Sequence, residues 1–187
     1  MSVNFQEKIT QLQNNYYKDN TKCLLFKSNQ KIDCANTISN AFNKNELFSN
    51  TVYILSNTNQ LYFDYTFFKT YATPPIFESL VEYIYDLIKQ TIKKYKTYDM
   101  HINWNTYTIS AHDRYKELYS LFLNRYNNCD FNFHDNLNKL YVYYTPNVIQ
   151  VISKLMAPII HPVVLSKVTL FNKNESADLL NNLLKNK

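Results

Sequence analysis

FHDNLNKLYVYYTPNVIQVISKLMAPIIHPVVLSKVTLF, residues 133 to 171, reads as a strand, a helix opened by proline, a bent apolar segment and a second strand. Leu140 to Thr145 is an apolar and aromatic run closed by a threonine, the pattern of a strand buried on both faces of a mostly parallel sheet. Thr145 is placed to cap, and Pro146 to open, the following helix, because proline at the first helical position loses only an N–H that had no partner. At helical spacing, Val148, Ile149, Val151, Ile152, Leu155, Met156 and Ile159 fall within an arc of about 160°, wider than the ~100° of an ordinary core stripe. Such a stripe either covers a sheet and leaves apolar surface for something else, or belongs to a well-buried core helix. Lys167 to Phe171 returns as the next strand, so the unit is a crossover and should be right-handed.

Outward from this unit, the chain alternates helical and strand patterns. Phe5, Ile9, Leu12 and Tyr16 follow helical spacing, Cys23 to Phe26 suits a short strand, and Asp33 to Phe48 reads as a helix with Ile38, Phe42 and Leu47 inward. Thr51 to Leu55 and Leu61 to Tyr65 are β-rich runs around a five-residue polar loop, which predicts a hairpin. Pro74 and Pro75 mark a break. Beyond them Phe77, Leu80, Val81, Ile84, Ile88 and Ile92 define a helix whose acidic residues come early and whose lysines come late, matching the helix dipole. Tyr98 to Trp104 and Thr106 to Ile109 read as strand, Ala111 to Tyr126 as helix and Glu175 to Leu184 as a closing helix. The predicted fold class is therefore α/β: a mixed, mostly parallel sheet flanked by helices, in one domain, with a helical part over 1–48 and the α/β core over 49–187.

Composition limits the chemistry. The chain has 187 residues, 45% hydrophobic and 19% charged, which suits a folded domain with a sizeable core. It contains no glycine, so the standard dinucleotide fingerprint, P-loop, kinase glycine loop and nucleophile elbow are absent. Positive-φ turns are expected on its 26 asparagines. The richness in Asn, Lys, Ile and Tyr is a codon signature of an A+T-rich genome, such as that of a large DNA virus or a protist.

The four histidines show no metal-ligand spacing, and adjacent His112-Asp113 and His134-Asp135 lack the further ligands of a metal phosphohydrolase. No enzyme, metal or cofactor is expected. A net charge of +5 is modest, and the RNA-recognition signature needs glycines, so no nucleic-acid partner is expected either. The N-terminus lacks an apolar run behind a basic start, and Lys154, Pro158, His161 and Pro162 interrupt the longest apolar region. With three unpaired cysteines, Cys23, Cys34 and Cys129, the expected location is cytoplasmic.

The spacing of prolines and lysine in 133–171 resembles the CRAL-TRIO lipid-binding domain. That family's pattern has a strand ending in Thr-Pro or Ala-Pro, a helix, a second proline, and a Ser-Lys-hydrophobic strand start; here Pro146, Pro158, Pro162 and Ser166-Lys167-Val168 fall at its intervals. Phe133-His134-Asp135 stands in the place of the family's Tyr-Pro-Glu. The resemblance implies an apolar cavity floored by the sheet and gated by residues 146–166, holding a phospholipid or similar amphiphile exchanged at a transient membrane surface. It also implies head-group contacts from Lys167 and Asp135, the alternative being a strand-edge lysine and a turn-capping aspartate. Tyr141 and Tyr143 share one strand face, as cavity lining or as core; Val151, Leu155, Met156, Ile159, Val163 and Val164 complete the candidate ligand-binding residues.

The chain also departs from the family. Asn103-Trp104-Asn105-Thr106 replaces an Asp-x-x-Gly turn, Asn172 replaces a glycine, and the sequence stops at Lys187 before the family's terminal strand. An open or shallow cavity is the expectation from these changes, with a lipid-free protein-interaction module as the alternative function.

Overall fold

A computed structural model describes residues 3–20, 27–127, 133–158 and 160–185. Three helices come first: α1 (Val3–Asp19), α2 (Lys27–Ala41) and α3 (Lys44–Thr51). The single helix expected over Asp33–Phe48 is two, because the Asn43 side chain accepts from the backbone N–H of Asn45 and starts a new helix there. The strand expected at Cys23–Phe26 lies outside the described residues.

Strands β1 (Val52–Ile54) and β2 (Gln60–Asp64) form the expected antiparallel hairpin. After α4 (Tyr65–Phe68) and a short turn begun by the two prolines, α5 (Phe77–Tyr95) leads to β3 (Tyr98–Asn103). Helices α6 (Ile109–Arg114), α7 (Lys116–Asn127) and α8 (Phe133–Asn136) follow, then β4 (Leu137–Tyr143), α9 (Ile149–Met156), α10 (Pro162–Ser166), β5 (Val168–Leu170) and α11 (Lys173–Leu184). The strands lie in the order β1-β2-β3-β4-β5, with every pair after the hairpin parallel. This is the mixed, mostly parallel α/β sheet read from the sequence.

Two local readings need correction. Thr106–Ile109 is not a strand: Thr106 turns back at φ 67° and Thr108 caps α6 by accepting from the N–H of Ala111. Nor does Thr145 cap a helix at Pro146. Tyr144 adopts φ 55°, Thr145 donates its N–H and its hydroxyl to the Phe171 carbonyl, and α9 begins only after Val148. Positive φ falls on Asn57, Lys96, Thr106 and Tyr144, so asparagine takes one of four such positions among the described residues. A side chain with a Cβ costs roughly 1–2 kcal/mol there, an expense the chain bears at its turns in place of glycine.

The sequential strand order decides how the sheet is covered. Each parallel crossover steps one strand in the same direction, so with one handedness the crossover helices share one face. Accordingly Leu80, Val81 and Ile84 of α5, Leu118 of α7, Ile152 of α9 and Val164 of α10 join Leu61 and Leu137 in a single core. Phe5, Ile9, Ile38 and Leu47 of the N-terminal helices pack into the same core. The opposite face gathers Tyr62, Tyr143 and Leu180 with Tyr53, Tyr141 and Phe171, under α11.

On that second face His101 is 3% exposed, with Nδ1 2.8 Å from the Tyr143 hydroxyl and its ring stacked 4.8 Å from Tyr141. Burial lowers its pKa from 6.5 to about 4, partly opposed by the Asp99 carboxylate. The folded state therefore keeps it neutral while the unfolded chain takes up a proton below 6.5. Stability should be present above pH 6.5 and lost as pH falls toward 4, with about 2 kcal/mol gone at pH 5. Urea unfolding at pH 7 and pH 5 checks this: His101→Phe should remove that share of the acid dependence, and an unchanged difference between the two pH values would refute it.

Candidate functional site

Between the helical face of the sheet and its crossover helices lies an apolar cavity of about 220 Å³. Strand alternation and register build its floor, since Leu61, Met100 and Leu140 are paired across β2, β3 and β4 and so project to one side. Of these, Met100 and Leu140 line the cavity beside Phe63 and Ile102. Helix α5 supplies Val81, Ile84 and Ile88, one turn apart on its buried stripe. Helix α7 supplies Leu118, Tyr119, Phe122 and Leu123, while Met156, Ile160, His161 and Val164 close the remaining side. No lysine, arginine, aspartate or glutamate is among the described lining residues.

The candidate residues separate into distinct places. Met156 and Val164 line the cavity. Val151 and Leu155 do not; they are 46% and 50% exposed on the outer side of α9, whereas Ile152 between them is fully buried. With Val148 at 37% and Leu165 at 41%, they form an apolar outer surface on the two helices. The wide stripe thus serves two sides: Ile152 and Met156 inward, Val148, Val151 and Leu155 outward. Val163 is half-buried, and Ile159 lies outside the described residues.

Tyr141 and Tyr143 require a correction. They pair with His101 and Asn103 and point to the sheet face opposite the cavity, where both rings stack on Phe171. Alternation shows that they share a face; the direction of the crossovers decides which one.

Lys167 also has an occupation that its place in the sequence did not reveal. Its ammonium donates to the carbonyls of His134 at 2.8 Å, Asp135 at 3.3 Å and Leu137 at 2.5 Å. Three ammonium protons meet three carbonyls at the end of α8, tying the end of α10 to the entry of β4. Asp135 is exposed, and in this contact it offers its backbone oxygen.

Sequence reasoning passed over the aromatic end of the cavity, built by Trp104, Tyr107 and Tyr119. The Trp104 and Tyr107 rings stack 4.6 Å apart at the C-terminal end of β3, and the Tyr107 hydroxyl lies 2.6 Å from that of Tyr119. The one available signal was the spacing of Tyr115, Leu118, Tyr119 and Phe122, which puts Tyr119 on the inward stripe of α7.

Residues 76–187, more than half of the chain, match the family model of the CRAL/TRIO domain. No curated protein shows a significant match to the sequence.

Proposed function

The chain belongs to the CRAL/TRIO domain family, and on that footing we propose that it is a binding protein for a compact, single-chain hydrophobic molecule held between the sheet and helices α5, α7, α9 and α10. Members of this family bind lipophilic ligands, which supports binding of a hydrophobic ligand in general. The observation that carries the narrower reading is a cavity of about 220 Å³ without a charged lining residue among those described. Pockets for drug-sized ligands run at ~300–1,000 Å³. This cavity falls below that range and suits a compact guest. An aliphatic chain of about eight carbons gains about 6 kcal/mol on leaving water, at ~0.8 kcal/mol per methylene. A phospholipid with ~30 methylenes requires a much larger space, so we assign the cavity to a smaller guest.

The outer surface of Val148, Val151, Leu155 and Leu165 supports exchange at a membrane, because the same short helices wall the cavity with Met156 and Val164. A net charge of +5 favours anionic bilayers, and no helix among the described residues is long and apolar enough to cross one. We place the protein in the cytoplasm, visiting membranes peripherally. Contact with a protein through the same outer surface, with an empty cavity, is the second reading.

Mass spectrometry of an organic extract of the purified protein separates the two. One hydrophobic molecule per chain is expected; a lipid-free protein that also binds no added eight-carbon hydrophobe would overturn the proposal in favour of the second reading.

A further inference from the structure

The cavity wall is apolar almost throughout, and the exception lies at the end carrying the C-terminus of β3. There the Asn103-Trp104-Asn105-Thr106 turn is held by the Asn105 N–H on the Asn103 side-chain oxygen and by the Lys69 ammonium on the Thr106 hydroxyl at 2.5 Å. Thr106 takes its left-handed conformation in this turn, and the Tyr107 N–H closes it on the Trp104 carbonyl. The outcome is a Tyr107 side chain that is 3% exposed, with its hydroxyl 2.6 Å from Tyr119 and 3.3 Å from His112 Nδ1. His112 is carried there by α6, which Thr108 caps, and its ring stacks 5.5 Å from Tyr119.

Counting donors and acceptors shows what remains for a guest. A phenol has one proton and two lone pairs. Tyr107, meeting both Tyr119 and His112, has two of its three hydrogen-bonding positions engaged. Tyr119 has Tyr107 as its one hydrogen-bond partner among the described residues, so its hydroxyl keeps two of its three hydrogen-bonding positions, and its side chain is part of the cavity wall. Burial raises the Tyr107 pKa to about 12 and also raises that of Tyr119, so both hydroxyls are uncharged at neutral pH. His161, which also lines the cavity, belongs to the segment beside α8.

We infer that the Tyr107–Tyr119 hydroxyl pair, held by His112, is a polar anchor that selects a ligand with an uncharged oxygen group, an alcohol or a carbonyl, over one with a carboxylate or phosphate. This rests on the hydrophobic-ligand reading and specifies the ligand's polar end. A charged head at this point loses its water for a bond to an uncharged phenol, whereas a neutral oxygen exchanges one hydrogen bond for another.

The test uses four eight-carbon probes, octane, 1-octanol, 2-octanone and octanoate, followed by the methyl NMR signals of Met100 and Met156 in the cavity wall. Octanol and octanone should bind about five- to tenfold more tightly than octane, and octanoate more weakly than octane. Tyr119→Phe should return octanol and octanone to the octane affinity while leaving octane unchanged, which also reports an intact cavity. Equal binding of octane and octanol, an alcohol preference that survives Tyr119→Phe, or octanoate binding tightest would each overturn the anchor while leaving the cavity reading in place. Failure of all four to bind would overturn the cavity reading, and the anchor with it.

Discussion

If the cavity holds the proposed ligand, Met100→Trp is expected to purify without a bound hydrophobic molecule, and to bind an added eight-carbon hydrophobe at least ~100-fold more weakly than the unaltered protein. Met100 sits on β3, the middle strand of the sheet, in register with Leu61 and Leu140, and its side chain lines the cavity. An indole there occupies space the guest needs and removes apolar wall that would otherwise touch it. The fold should tolerate the change because the new volume enters an existing void; overpacking a filled core costs ~1–3 kcal/mol, and a void lowers that cost. Thermal unfolding confirms an intact fold, and titration gives the affinity. A Met100→Trp protein that retains the same molecule at unchanged stoichiometry would place the ligand elsewhere, with the outer surface of α9 the first place to look.

Lys167→Met should lower stability by about 3 kcal/mol, because three carbonyls lose a charged donor together. Methionine preserves the length and packing of the side-chain stem while removing every proton. An unsatisfied buried acceptor costs ~1–3 kcal/mol; the Asp135 carbonyl is in the exposed part of the site, where water replaces the ammonium at little cost. For a chain of this length the midpoint of thermal unfolding should fall by roughly 6–12 °C. A lysine reserved for a phosphate head group behaves in the opposite way: its loss leaves stability unchanged and weakens binding of phosphorylated lipids alone. A midpoint shift under ~2 °C would return Lys167 to that role.

The contrast between these residues shows what a sequence makes legible. The crossover of β4, α9, α10 and β5 was readable because its signals are local: an apolar run, prolines that forbid a continuous helix, and a period that changes between elements. The hairpin, α5 and α11 were readable for the same reason. Lys167 was not, since the carbonyls it serves lie about thirty residues earlier, on a helix of only four residues and on the first residue of β4. Tyr141 and Tyr143 failed on geometry: period two fixes a shared face, while the side on which a cavity forms depends on every crossover in the sheet. Helix boundaries at Asn43 and Thr108 turned on side chains bonding to nearby backbone, a competition that hydrophobic spacing does not register. Tyr119 was visible as one aromatic among 17 tyrosines, and its importance emerged only when the turn at Thr106 brought Tyr107 against it.

Helices α9 and α10 are suspended between two strands of unequal hold. On one side stands the seven-residue β4, paired to β3 along its length; on the other stands the three-residue β5, an outer strand joined to the sheet through three residue pairs. Mechanically this is a drawbridge with a stout hinge and a light latch. Any opening of the cavity on this flank therefore has to part the short seam together with the Lys167 bonds to the His134, Asp135 and Leu137 carbonyls.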